Sequence, residues 1–157
     1  MTTTPSITRF SATKDLRAGT MPLLDTFRDL LDTVEDALHL DLDLAHAWSW
    51  DPATSGFAEA TEARWQDCLT LARNILDAQP LGGDERGVQR MCLLLHFLIE
   101  TQNPADAERF QILMYQNVAL FAAEDPDICR ALAQATRLVD AIVEAAKHAD
   151  ETFLTLR

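Results

Sequence analysis

The sequence predicts an all-α fold, an antiparallel bundle of four to five helices with a long last helix and a flexible N-terminal arm. Three observations predict it. Apolar residues recur every three or four positions along most of the chain, the period of a helix with one buried side. Glycine (5) and proline (6) are few among 157 residues and mark breaks between periodic stretches. Runs of β-branched residues, which favour strands, are short. The length suits one domain with its own core, placed at residues 21–157 behind an arm at 1–20.

The arm, MTTTPSITRFSATKDLRAGT, is Thr-rich and lacks any period. It reads as a mobile segment with Phe10 docked on the body. The first helix begins near Met21-Pro22. Leu23, Leu24, Phe27, Leu30, Leu31, Val34 and Leu38 share one face, and Asp25, Asp29, Asp32 and Asp36 line the other. Those aspartates sit three or four apart and repel slightly, so the apolar face must hold the helix.

The period changes in HLDLDLAHAWSWDP, residues 39–52. Leu38, Leu40, Leu42 and Leu44 alternate with His39, Asp41 and Asp43, as in a strand. This predicts that the helix ends here and that an extended segment covers the bundle. A continued helix would instead put Asp36, His39, Asp43 and His46 on one face, a set able to bind a transition metal. In an extended segment that set falls apart. Trp48 and Trp50 would share one side and plug the end of the core, or stand exposed and grip a ligand.

WDPATSG, residues 50–56, reads as a loop. A second helix follows from about Ala58 to Ala78, with Trp65, Cys68, Leu69, Ala72, Ile75 and Leu76 as its buried stripe. QPLGG ends it, glycine serving as the cap. A third helix runs from an Asp84 cap to about Thr101 and is apolar nearly all round. His96, with Glu100 four residues on, reads as a satisfied core histidine. NPADAE restarts the chain, with Asn103 as cap and Pro104 in the first turn. The fourth helix, 104–123, is again apolar on more than one face. After DPD (125–127), Ile128, Leu132, Ala135, Val139, Ile142, Ala146, Ala149, Phe153 and Leu156 form a seam along a fifth helix of about 30 residues.

Net charge is −12, from 25 acids and 13 bases. Arg9, Lys14 and Arg17 against Asp15 give the first 20 residues +2, leaving −14 for the rest. That balance disfavours direct contact with nucleic acid and suits a basic protein partner, for which Asp25, Asp29, Asp32, Asp36, Trp48 and Trp50 are the candidate residues. Cys68, Cys92 and Cys129 lie inside helical patterns and form no CxxC pair, so they read as free thiols in a reducing, cytoplasmic setting. The N-terminus lacks the apolar core of a secretory signal. The longest apolar run, MCLLLHFLI, is far short of the roughly 20 residues that cross a bilayer. No nucleotide, hydrolase or metalloprotease motif occurs.

The third and fourth helices carry more apolar surface than one small bundle hides, which predicts self-association. The function expected is therefore non-enzymatic: a small acidic helical-bundle protein, regulatory or adaptor in type, homodimeric, with no cofactor and no catalytic residue. The alternative is a bundle that binds a metal or small ligand, with or without catalysis, through His39, Asp43 and His46.

Overall fold

Phe27, Leu30, Leu31 and Val34 are wholly removed from solvent, and the first helix is organised by burying them. The computed structural model describes residues 22–46, 53–101 and 103–155, the side chains of 46, 53–55 and 149–155 excepted. Within them lie α1 (Pro22–His46), α2 (Ala53–Asp77), α3 (Gly83–Glu100), α4 (Pro104–Gln116), a short 3₁₀ turn (Val118–Phe121) and α5 (Pro126–Thr155). No strand occurs among the described residues. The fold is the all-α bundle the periodicity predicts.

Side-chain partners give the directions of the helices. The Trp65 indole meets Asp41, and Leu23 and Thr26 share a recess with Ile75 and Ala78, so α2 runs back along α1. Gln89 donates to the carbonyls of Ile75 and Ala78, and Cys92 to that of Ala72, so α3 runs back along α2. Gln111 meets Asp140 and Glu108 meets Lys147, so α5 runs back along α4. Arg28 and Asp127 stand together where α1 and α5 both begin. Sequential helices thus alternate in direction, while α1 and α5 run the same way and close the bundle. The core fills the space between them: Ile75 and Cys68 from α2, Val88, Met91 and Leu95 from α3, and Ile128, Val139 and Val143 from α5. The predicted seam of α5 is buried from Ile128 to Ile142. Further along it Ala146 is half-buried, and Ala149, Phe153 and Leu156 lie outside the described side chains, as do the whole of the arm and Trp48 and Trp50.

Four expectations need correction. First, α1 does not stop near residue 39; it continues to His46. Helical spacing leaves Leu38 buried and Leu40 and Leu44 half-buried, with only Leu42 turned to water at 50% exposure. A leucine at every second position therefore suits a helix flanked on two sides. Second, α2 begins at Ala53, so Thr54, Ser55 and Gly56 are helical rather than loop. Third, the turn into α3 uses no left-handed glycine, and Gly82, with φ −163°, holds the N-cap position that the sequence assigned to Asp84. The Asp84 carboxylate instead accepts from the backbone N–H groups of Glu124 (3.0 Å) and Asp125 (2.9 Å), tying the start of α3 to the start of α5. Fourth, the helix from 104 breaks at Asn117, whose N–H and side-chain amide both donate to the Leu113 carbonyl. Satisfying that carbonyl locally ends α4 and leaves residues 118–121 to the tighter turn. The predicted cap at Asn103 is present, its side chain accepting from the Ala105 N–H at 3.0 Å.

The thiols sort by burial. Cys68 and Cys92 are buried, and loss of hydration pushes both up to about 12, while Cys129 is exposed. The thiolate is the reactive form, so burial and a raised pKa act together. A thiol reagent at neutral pH is expected to label one cysteine quickly in the native protein and three after denaturation. Rapid labelling of all three in folded protein would contradict this packing.

Candidate interaction surface

The apolar excess of α3 and α4 is not hidden inside the bundle. Among the described residues ten large apolar side chains are more than two-fifths exposed, and seven of them fall between Leu93 and Leu120. Leu93 and Phe97 come from α3, Ile112, Leu113 and Tyr115 from α4, and Val118 and Leu120 from the 3₁₀ turn. Only Ala107 and Met114 of α4 are buried, because this helix of 13 residues packs mainly on α5 and lightly on α3.

Three contacts hold the elements of this surface together. Phe97 stacks on Phe110 with centroids 5.7 Å apart and planes 9° from parallel. Arg90 donates to the Leu120 carbonyl at 3.1 Å, fixing the 3₁₀ turn against α3. On the α5 side the Tyr115 hydroxyl donates to Asp140 (2.8 Å), which also accepts from Gln111 (2.7 Å). The bond to a carboxylate favours the protonated phenol and raises the Tyr115 pKa. His96, on α3, lies 3.3 Å from Glu100, the pairing the sequence predicts.

The acidic face of α1 is as the sequence places it: Asp25, Asp29, Asp32 and Asp36 are all exposed. The chain supplies its own cations to part of it. Arg28 lies 3.7 Å from Asp25 and 4.0 Å from Asp127, and Arg130 also pairs with Asp127. Arg28, Asp32, Asp127, Arg130 and Arg137 line an open cleft of about 630 Å³ between α1 and α5. Of the aspartate line, Asp25 therefore meets an arginine of its own helix and Asp32 shares a cleft with arginines of α5, which no reading of α1 alone could show.

The helical course of residues 39–46 does put His39 and Asp43 on the face that carries Asp36, and both side chains are exposed. Among the described residues no three His, Cys, Asp or Glu side chains gather as a metal-holding group, and the His46 side chain lies outside them. A polar side chain from this stretch that does engage the bundle is Asp41, which the sequence reading did not single out. Its Oδ2 accepts from the Trp65 indole N–H at 2.9 Å.

Burial raises the Asp41 pKa above its ordinary 3.8; the indole bond opposes this and the charge of Glu62 adds to it. A carboxyl with a raised folded-state pKa favours folding most when protonated, and that contribution fades as pH rises through the folded pKa. Asp41→Asn keeps an acceptor for Trp65 and carries no charge. It is expected to raise the thermal midpoint near neutral pH and to lose that advantage below 3.8. A variant less stable than the wild type at neutral pH would show that the ionised carboxylate is the better partner.

No helix among the described residues is long and apolar enough to cross a membrane. No family model, curated protein or solved structure matches the chain, so the reading of this surface stands on its own chemistry.

Proposed function

We propose that this protein works through protein–protein contact, as a small non-enzymatic regulatory or adaptor bundle that pairs with a second copy of itself. The carrying observation is the cluster of seven exposed apolar side chains on α3, α4 and the 3₁₀ turn, headed by Val118 at 62% exposure. Scattered apolar residues are normal on a surface, but a concentration on adjoining elements marks a contact face. A self-complementary face used twice about a two-fold axis would cover it on both copies at once. The exposed carboxylates Asp29 and Asp36 stay available for a basic partner outside that pair.

Sedimentation of the wild type and of a Phe97→Asp, Val118→Asp variant tests the reading. The wild type is expected to run as a dimer at micromolar concentration and the variant as a monomer of unchanged helicity. A wild type that stays monomeric at high concentration would refute self-pairing.

A further inference from the structure

The exposed positions of α3 fall in a single line. From Asp84 to Glu100 they are Arg86, Arg90, Leu93, Phe97 and Glu100, and every other residue is buried or half-buried. The steps are four, three, four and three, so the five side chains stand one above another along the helix. Neighbouring elements flank this line without covering it. Arg90 holds the Leu120 carbonyl and Phe97 stacks on Phe110, which places the 3₁₀ turn and α4 on one side. Gln89, Cys92 and Glu100 meet α2 on the other.

The charges on the line run against the dipole of their own helix. Arg86 closes the first turn, where an anion is favoured, and Glu100 is the last residue, where a cation is favoured. The first-turn acids are engaged elsewhere: Asp84 accepts from Glu124 and Asp125, and Glu85 from Leu81. Among the described residues no carboxylate lies within 4.0 Å of the Arg86 guanidinium. Glu100, 3.3 Å from His96 and 4.0 Å from Arg73, keeps 46% of its side chain open to solvent.

Leu93 lies seven positions from each of these two charges. Seven residues make nearly two whole turns, about 10.5 Å along the axis in either direction. A two-fold axis beside Leu93, at right angles to α3, therefore brings Arg86 of each copy to Glu100 of the other and Leu93 to Leu93. Each misplaced charge then meets an opposite charge and the helix end that suits it. A chain of net charge −12 repels its own copy over most of its surface, whereas this line carries two arginines against one glutamate.

We propose that the copies meet through an antiparallel α3–α3 pair centred on Leu93, with Arg86 of each against Glu100 of the other. This rests on the self-pairing reading above and adds its register. The apolar side chains of α4 and the 3₁₀ turn flank the central pair.

Charge reversal in the full-length protein tests the register. Arg86→Glu and Glu100→Arg each set like charges against each other in their own pairs, so each is expected to pair about tenfold or more weakly than the wild type in sedimentation. Mixed together they restore both ion pairs, and a mixed dimer of near wild-type strength is expected; its formation also shows both variants to be folded. A wild type that pairs, with Arg86→Glu pairing as tightly, overturns the register and leaves self-pairing standing. A wild type that stays monomeric overturns both. A second measurement puts a cysteine at the axis in a Cys129→Ser background. Leu93→Cys is expected to close a disulfide between copies on mild oxidation, and Glu100→Cys, about 21 Å along the axis from its counterpart, is not. Failure of the Leu93→Cys cross-link, or ready cross-linking through Glu100→Cys, overturns the antiparallel register.

Discussion

Phe27→Ala is expected to cost about 3–5 kcal/mol of folding stability, the range for truncating a buried aromatic ring. Phe27 is fully buried at the centre of the apolar face of α1, among residues drawn from α2, α3 and α5. The cavity left cannot be refilled by a small shift, because each surrounding helix is held by its own buried residues. A chain of this size loses roughly 2–4 °C of thermal midpoint per kcal/mol, so a fall of about 6–20 °C should appear in a thermal melt followed by circular dichroism. Leu42→Ala is the matched control. Leu42 is half exposed on the same helix, and its loss should stay within about 0.5 kcal/mol. Comparable losses in both variants would contradict the placement of the core.

The second large effect is expected at Gly87. A Cβ there would stand 3.2 Å from the Ala122 carbonyl oxygen and 3.9 Å from a Leu132 methyl. That carbonyl cannot easily withdraw, because the two residues after Ala123 are tied to Asp84 through their backbone N–H groups. Gly87→Leu drives a branched side chain into this fixed backbone and should cost about 3 kcal/mol, at the upper end of overpacking. Gly87→Ala sets the gain of about 1 kcal/mol in helix propensity against one tight contact, and should change stability little. Urea midpoints of both variants check this; a Gly87→Leu protein as stable as the wild type would mean that α3 and the α4–α5 link are not so closely packed.

Much of this fold could be read from local sequence because the forces that set it are local. Asn103-Pro104 starts α4 with one side-chain bond and a fixed backbone angle, and both act within two residues. The apolar stripe of α1 is buried as its spacing predicts, and so is that of α2 at Cys68, Leu69, Ala72 and Ile75, with Trp65 and Leu76 half-buried. Two of the errors arose where a distant residue decided the outcome. Asp41 can face inward because Trp65, 24 positions away, donates to it, and α1 therefore continues where its leucines suggest a strand. Asp84 caps a backbone 40 residues further on instead of its own helix. The surplus of apolar residues on α3 and α4 was visible in the sequence. Which of them stay uncovered depends on the shortness of α4 and the break at Asn117, and these set the outline of the candidate surface.

The meeting of α1 with α5 has a kinetic consequence. Every other major pairing joins helices that follow one another or are separated by a single helix, so little chain must be looped to form it. Arg28 and Asp127 bring together stretches roughly a hundred residues apart, the costliest closure in the molecule in chain entropy. The intervening helices can assemble first, and this zip then closes on a surface already made. Unravelling should retrace that order, so the first strain, warming or denaturant is felt where α1 and α5 lie side by side.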